Sequence, residues 1–272
     1  MIGSMTRLIN DNVMKLKKLP IGKSTLRTLI EEDYLYVDKT KIALDLIENG
    51  GGYYFLSRPR RFGKSLFLDT LRTIFDADKE LFKGLYIYEH YEFIKHPVIR
   101  ISFNDGNFKS KEGIEQTIYE ILKINQRDLD IDCDKDLSLT GCFREIVYLA
   151  YKKYQQKVVI LIDEYDKPIL DNIDNTNKAL IMREELKSFY SVIKGADEYL
   201  KFVFITGVSK FSKVSLFSGL NNIDDITLDK RYSTICGYTQ NDVETTFKEH
   251  LEGADFDKIK HWYNGYQFLG EG

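Results

Sequence analysis

Residues 53 to 70 read YYFLSRPRRFGKSLFLDT, and this stretch decides the predicted fold. An apolar run, Tyr53 to Ser57, leads into a basic turn. Gly63, Lys64 and Ser65 then open an apolar segment with helical spacing. A loop of this layout wraps phosphates with backbone N–H groups, while its lysine reaches the β and γ oxygens and its serine hydroxyl joins a Mg²⁺ shell. The stretch therefore predicts nucleotide binding.

The loop departs from the standard pattern G-x-x-x-x-G-K-[ST] at its first position. Glycine is expected five residues before Gly63, where this chain has Arg58 followed by Pro59. Either Pro59 fixes a different turn into the same loop, or the side chain of Arg58 weakens phosphate binding. A second GKS, at residues 22–24, has no apolar strand in front of it, so the context favours the later site.

The predicted nucleotide-binding residues form one continuous segment, which we call the basic loop. They are Arg58, Pro59, Arg60, Arg61, Phe62, Gly63, Lys64, Ser65 and Leu66. The cationic cluster lies at the end of a strand, where phosphate is expected. The alternative interpretation is a solvated charged turn.

A second segment, KVVILIDEYDK, carries the acids that such a site needs. Val158 to Ile162 is a run typical of a strand buried on both faces, and buried strands present their ends at the ligand-binding edge of an open α/β sheet. Asp163 would hold Mg²⁺ together with Ser65, and Glu164 would activate the attacking water. The alternative is a strand that ends in helix-capping acids. For Asp166 we expect hydrogen bonding or capping of the next turn, in preference to metal ligation.

Strands and helices alternate along the rest of the chain, as in α/β proteins. The other predicted strands are Val98 to Phe103, Phe202 to Thr206 and a last one around Asp225 to Leu228. Helices are expected after Asp38, after the basic loop, at residues 112–125, 142–155 and 183–193, and from about Thr239 onward. Thr206 and Ser209 would sense the γ-phosphate or position water, or would merely satisfy turn backbone groups.

Three smaller features complete the site predictions. Residues 127–140 alternate acids like a calcium loop, but they lack the glycine and glutamate that an EF-hand requires, so we predict a solvated connector. The three cysteines show no metal-ligand spacing, and we expect reduced thiols at Cys133, Cys142 and Cys236. Tyr36 and Lys39 are candidates for contacting the base, with capping and core packing as the alternative.

Composition favours a globular enzyme-sized chain. The 272 residues are 43% hydrophobic and 30% charged, which is enough apolar material for a core and unlike disordered chains. A formal charge of −3 argues against a globally basic nucleic-acid binder, although a local basic groove stays open. No apolar run is long enough to cross a bilayer and no signal-peptide pattern begins the chain, so the expected location is cytoplasmic, without membrane association.

Seven segments, taken in order, resemble the AAA-ATPase-like family of bacterial proteins related to archaeal-type ATPases. They are LPIGKSTLRTLIEEDYLYVDKT, SRPRRFGKS, VVILIDEYDKPI, FITGVSKFS, DDITLDKRY, GYT and YNGYQF. The family pattern tolerates arginine at the first loop position. The resemblance implies an α/β P-loop NTPase fold of the additional-strand (ASCE) type, with a mostly parallel sheet and a small C-terminal helical lid. Many relatives carry a C-terminal PD-(D/E)XK nuclease-like domain. This sequence stops at Gly272, before the position of that domain.

The expected organisation is an N-terminal extension (residues 1–30), an ATPase core (31–236) and a helical lid (237–272). The leading hypothesis is Mg²⁺-dependent ATP binding and hydrolysis that drives or times a conformational change in an attached domain or partner. Its catalytic residues would be Lys64, Glu164, Thr206 and Ser209. The rival is a nucleotide-responsive switch with little hydrolysis. A nuclease-like domain, a protein partner, a nucleic acid and a second copy of the chain are the candidate partners.

Overall fold

A five-stranded parallel sheet forms the centre of the protein. The computed structural model describes residues 16–49, 52–210, 216–217, 222–263 and 268. The strands are β1 (Tyr53–Ser57), β2 (Val98–Ser102), β3 (Val158–Asp163), β4 (Leu200–Gly207) and β5 (Asp224–Asp225). Their order across the sheet is β2-β3-β4-β1-β5, so that β4 lies between β1 and β3. The predicted α/β fold with an additional strand is confirmed.

Helices cover both faces of this sheet. They are α1 (Leu26–Glu31), α2 (Thr40–Asn49), α3 (Lys64–Phe75), α4 (Lys111–Leu129), α5 (Leu139–Tyr154), α6 (Lys167–Leu170), α7 (Thr176–Gly195), α8 (Gln240–Thr245) and α9 (Phe256–Tyr263). Ser110 and Ser138 begin α4 and α5 by accepting hydrogen bonds from backbone N–H groups three residues later. Within the described ranges no helix is both long and apolar enough to span a membrane.

The alternation of side chains along the strands divides the core into two layers. Val158, Ile160 and Ile162 of β3 pack with α4, α5 and α7, whereas Val159 and Leu161 pack with α2 and α3. All six residues of β3 are buried, as expected for a central parallel strand. Because β1 and β3 are parallel members of one sheet, their carboxyl ends meet at one edge.

The last strand is shorter than the sequence suggested. A strand was expected around Asp225 to Leu228, but β5 ends at Asp225, and residues 226–228 form a 3-10 turn. The Oδ1 atom of Asp225 accepts a hydrogen bond from the N–H of Thr227, 3.1 Å away. An aspartate that bonds its own backbone two residues later turns the chain and competes with the sheet ladder.

Two cysteines differ from the expectation of reduced thiols. Cys133 and Cys142 form a disulfide with their Cα atoms 5.3 Å apart, so the prediction is wrong for this pair. The connector between α4 and α5 folds back and brings the start of α5 against the end of α4, a proximity that spacing in the sequence does not reveal. Cys236 is free, as expected, and it is buried.

The chain before β1 and the chain after β5 both pack against the central layers. In the first, the N–H of Leu26 donates to the carboxylate of Asp69 on α3, 2.7 Å away. In the second, α8 begins at Thr239 with a capping box, in which Asp242 and Thr239 satisfy each other's backbone N–H groups. This confirms the predicted helix start. The predicted turn in the YNGYQF segment, at residues 264–265, lies outside the described residues.

Candidate functional site

A cavity of about 1040 Å³ opens at the carboxyl edge of the sheet. Its wall is built from the basic loop, from segments before α2, from the chain between β5 and α8, and from α9. Nucleotide and cofactor sites usually occupy a few hundred to about 1,000 Å³, so this cavity is large enough for a nucleotide. It lies where ligands bind in open parallel sheets.

The basic loop presents its backbone to this cavity. Gly63 has a φ of 94° and directly precedes α3, and Arg61 has a φ of 67°. No side chain caps the first turn of α3 at Gly63, and Ser65 and Leu66 of that turn line the cavity. A Cβ atom on Gly63 would meet nothing within 4 Å, so the space beside this backbone is open. An uncapped helix start next to open space fits a phosphate group.

Lys64 lies folded into the centre of the basic loop. Its side chain is almost fully buried, and its Nζ donates to the carbonyl oxygens of Arg58 and Pro59 at 3.1 and 3.2 Å. The same Nζ lies 3.7 Å from Oε1 of Glu164, which follows β3. Lys64 of the basic loop and Glu164 after β3 therefore lie close together, as the sequence analysis predicts.

Glu164 occupies an unusual backbone conformation. Its φ is 54°, in the left-handed region that disfavours residues with a side chain. The hydrogen bond from the N–H of Tyr165 to the carbonyl of Thr206 and that from the N–H of Lys167 to the carbonyl of Glu164 hold the chain on both sides of it. Such strain persists only where the surroundings impose it, and it is concentrated at functional sites.

Asp163 is held by two neighbours at the sheet edge. The hydroxyl of Thr206 donates to its Oδ1 over 2.7 Å, and the side-chain amide of Asn104 donates to its Oδ2 over 3.2 Å. Thr206 is fully buried and does not line the cavity. The sequence interpretation did not include Asn104. Asn104 comes directly after the predicted strand Val98 to Phe103, but the sequence alone does not show that this strand pairs with the strand of Asp163.

Asp163 and Ser65 are the predicted ligands of Mg²⁺. Among the described residues no group of three or more His, Cys, Asp or Glu side chains could hold a metal. Mg²⁺ commonly uses one or two carboxylates and takes its other ligands from water and phosphate. Ser65 lines the cavity, whereas Asp163 is 2% exposed and does not line it, so the Mg²⁺ role of these two residues stays a prediction.

Asp166 ties the segment after β3 to the segment after β4. Its two carboxylate oxygens accept hydrogen bonds from the N–H groups of Val208, at 3.3 Å, and Ser209, at 2.7 Å. Burial raises the pKa of Asp166 above its ordinary value, and these two N–H donors oppose the rise. Asp166 precedes α6 without capping it. Ser209 is thereby placed beside the Asp166 carboxylate, and its carbonyl accepts from the hydroxyl of Tyr165.

Arg58 is placed differently from the other members of the basic loop. Its side chain is 1% exposed and does not line the cavity, and its Nη1 donates to the carbonyls of Ser57 and Thr227 at 3.0 and 2.7 Å. Burial lowers the pKa of the guanidinium. Pro59 is also absent from the cavity wall, whereas Arg60 and Arg61 are exposed and line it.

The segment before α2 contains the two candidates for contacting a base. Tyr36 and Lys39 both line the cavity. The hydroxyl of Tyr36 lies 3.4 Å from that of Thr70, and burial raises the pKa of Tyr36. Nζ of Lys39 lies 2.9 Å from Oδ2 of Asp242, in an ion pair that joins the segment before α2 to the start of α8. Tyr36 also packs against the core, so core packing and cavity lining are combined in this residue.

The cavity carries a strongly positive wall. Among its described lining residues the acid is Glu164, and the basic residues are Lys23, Lys39, Arg60, Arg61, Lys64 and Lys260. The second GKS, set aside as a phosphate loop, contributes Lys23 to this wall and has no strand before it. Clustered cations in a partly enclosed site attract polyanions.

Comparisons with known proteins agree with this geometry. A family model described as predicted AAA-ATPase (AAA-ATPase-like) matches residues 20–217. A curated relative from Azotobacter chroococcum mcd 1, an uncharacterized protein in the vnfD 5' region, is 50% identical over 260 residues, which are 95% of this chain and 50% of the relative. The chain thus spans about half the length of that relative. No solved structure matches. Since the family match includes both the basic loop and the acidic end of β3, the chain belongs to the predicted AAA-ATPase family, which implies ATP binding.

Proposed function

We propose that this chain binds ATP with Mg²⁺ and hydrolyses it to drive or time a conformational change in an attached domain or partner. The observation that carries the proposal is the meeting of Lys64 and Glu164, whose Nζ and Oε1 atoms lie 3.7 Å apart in the wall of a basic cavity. A lysine and a glutamate that lie this close can reach one phosphoryl group and the water that attacks it.

In the proposed complex the β- and γ-phosphates lie against the first turn of α3. Lys64 exchanges its two carbonyl partners for phosphate oxygens, and Arg60 and Arg61 add charge at the cavity mouth. Ser65 and Asp163 would hold Mg²⁺, which neutralises charge on the phosphates when it is bound. Glu164, released from Lys64, accepts the proton of the attacking water.

Two contacts connect the proposed reaction centre to other parts of the chain. Asp166 bonds the segment after β4, and Lys39 bonds Asp242 at the start of α8. We propose that the chain is divided into an N-terminal extension, a core and a helical lid, and that these contacts connect the core to the lid. Changes at the γ-phosphate would then reach the lid and any domain or partner beyond it.

The second candidate function is a nucleotide-responsive switch with little hydrolysis. It is favoured by the pairing of Glu164 with Lys64, because a glutamate that keeps this partner is a poor base for water. In this case ATP binds saturably and phosphate is released slowly, with or without DNA. DNA affinity that falls steeply with salt would assign the switch to nucleic acid.

The deciding experiment compares Glu164→Gln with Lys64→Ala. Glu164→Gln should slow phosphate release by roughly 10²-fold or more and spare ATP affinity, given the usual size of general-base effects. Lys64→Ala should weaken ATP affinity itself. Glu249→Gln, an exposed acid outside the cavity, is the matched control and should change neither quantity. Wild-type phosphate release in Glu164→Gln would remove Glu164 from the mechanism.

A further inference from the structure

The guanidinium of Arg58 is buried with part of its hydrogen-bonding capacity unused. Its Nε and Nη2 have no hydrogen-bond partner among the described residues, although Nη1 has two. Burying charged donors without partners is costly, so a position that keeps them requires compensation. The compensation is aromatic: the guanidinium carbon lies 3.9 Å from the ring centroid of Phe268. Stacking on an aromatic face stabilises a desolvated cation.

Phe268 connects this arginine to the cavity and to the end of the chain. Its ring meets that of Phe62 edge to face, with the centroids 5.9 Å apart, and both aromatics line the cavity. Phe62 belongs to the basic loop, and its carbonyl accepts from the N–H of Gly237 over 3.0 Å. The basic loop therefore contacts Phe268 through both Arg58 and Phe62.

The backbone of Arg58 also contacts the proposed phosphate-binding lysine. Its carbonyl accepts from Nζ of Lys64, and its N–H donates to the carbonyl of Gly207 at the end of β4. A shift of Arg58 therefore moves an atom that Lys64 contacts directly. The side chain, fixed by Thr227 on one side and Phe268 on the other, sets where that backbone lies.

We propose that Arg58 is a positioning residue that, through its stack, couples the geometry of the basic loop to the position of Phe268. This inference rests on the proposed nucleotide binding and adds to it a role for the residue that replaces the first glycine. The side chain does not bind phosphate. By reciprocity, a nucleotide that orders the loop strengthens the contact with Phe268, and loss of that contact weakens nucleotide binding.

The chain offers a native reporter for this coupling. Trp262 is the single tryptophan, lies on α9 six residues before Phe268, and is 77% exposed. ATP binding should change its fluorescence in the wild-type chain and in Phe268→Tyr, which keeps an aromatic ring. The change should disappear in Phe268→Leu and in Arg58→Lys, because neither variant retains the stacked pair.

The affinity measurements form a double-mutant cycle. Phe268→Leu and Arg58→Lys should each weaken ATP binding by about 2- to 30-fold, the range of cation–π contacts. The double variant should be no weaker than the weaker single variant, because both changes remove one coupling. Phe93→Leu is the matched control, since this phenylalanine packs edge to face on Tyr91 and neither ring lines the cavity. It should leave ATP affinity and the fluorescence response unchanged.

Three results would overturn the inference while leaving the proposed function intact. They are additive losses in the cycle, a Trp262 response that persists in Phe268→Leu, and tighter ATP binding by Phe268→Leu. The last would mean that Phe268 shields the unused N–H groups of Arg58 from phosphate. A wild-type chain without saturable ATP binding would instead overturn the proposed function, and this inference with it.

Discussion

The variant Thr206→Val distinguishes two roles of Thr206, contact with the γ-phosphate and orientation of Asp163. Thr206 is fully buried, and its hydroxyl donates to Oδ1 of Asp163 over 2.7 Å. Valine keeps the shape and removes the donor. If Thr206 orients Asp163, its loss leaves a buried carboxylate oxygen unsatisfied, and both stability and the Mg²⁺-dependent step are weakened.

The expected loss in the free energy of unfolding follows from the nature of the acceptor, the Asp163 carboxylate. A hydrogen bond to a charged group contributes about 1.5–3 kcal/mol, and the additional buried methyl of valine offsets roughly 0.8 kcal/mol of it. The net loss in the free energy of unfolding should be about 1–2 kcal/mol. Thr73→Val is the matched control, because buried Thr73 donates to a neutral carbonyl, that of Asp69, over 2.8 Å. Its loss should be about 0.5 kcal/mol or less, since the lost bond is weaker and the methyl gain is the same.

Urea denaturation of both variants, with phosphate release at several Mg²⁺ concentrations, tests this reasoning. Thr206→Val should need more Mg²⁺ for half-maximal phosphate release, whereas Thr206→Ser should behave like the wild-type chain because it retains the hydroxyl. An unfolding free energy within 0.5 kcal/mol of wild type, together with slower phosphate release, would refute the orienting role. That result would instead support direct contact between Thr206 and the nucleotide.

Three further predictions concern the cavity wall. Burial raises the pKa of Cys236 to about 11, so its alkylation should be slow at pH 8 and should accelerate between pH 9 and 11. ATP should slow the alkylation, because Cys236 lines the cavity. Rapid alkylation at pH 8 would contradict this prediction. Lys39→Met removes the ion pair between Lys39 and Asp242, whose side chains are 14% and 17% exposed. The variant should bind ATP about tenfold more weakly in a titration, because it leaves a largely buried carboxylate without its partner. Unchanged affinity would show that this ion pair does not shape the site. Glu164→Gly should be about 1 kcal/mol more stable to urea than Glu164→Ala, because both lose the ion pair and only glycine relieves the φ of 54°; equal stability would mean that the backbone is unstrained.

The fold was predictable because its signals are local and periodic. The buried run of β3 and the apolar run of β1 are continuous in sequence, and the alternation of strands and helices requires parallel pairing. The acids after β3 could be assigned to the sheet edge by the same rule. The contact of Glu164 with Lys64 agrees with this topology, because β1 and β3 flank β4 and end at the same edge of the sheet.

The parts that could not be predicted depend on contacts between residues distant in sequence. The Cys133–Cys142 disulfide requires the fold of the connector, and the bonds of Asp166 require the position of the chain after β4. Asn104 is 59 residues from Asp163, and nothing in its local sequence distinguishes it from a turn asparagine. Only the pairing of β2 with β3 brings the two together.

Arg58 shows why a motif position and a physical role differ. The standard pattern asks for glycine there so that backbone can approach phosphate closely. This chain leaves open space beside the backbone at Gly63 and uses the first position for a buried side chain that bonds Thr227 and stacks on Phe268. The positive charge that looked like a phosphate contact is therefore directed away from the cavity, into the protein. A loop anchored in this way is restrained where it begins, and its position depends on residues that are distant in sequence. Such dependence is expected of a site whose state affects other parts of the protein.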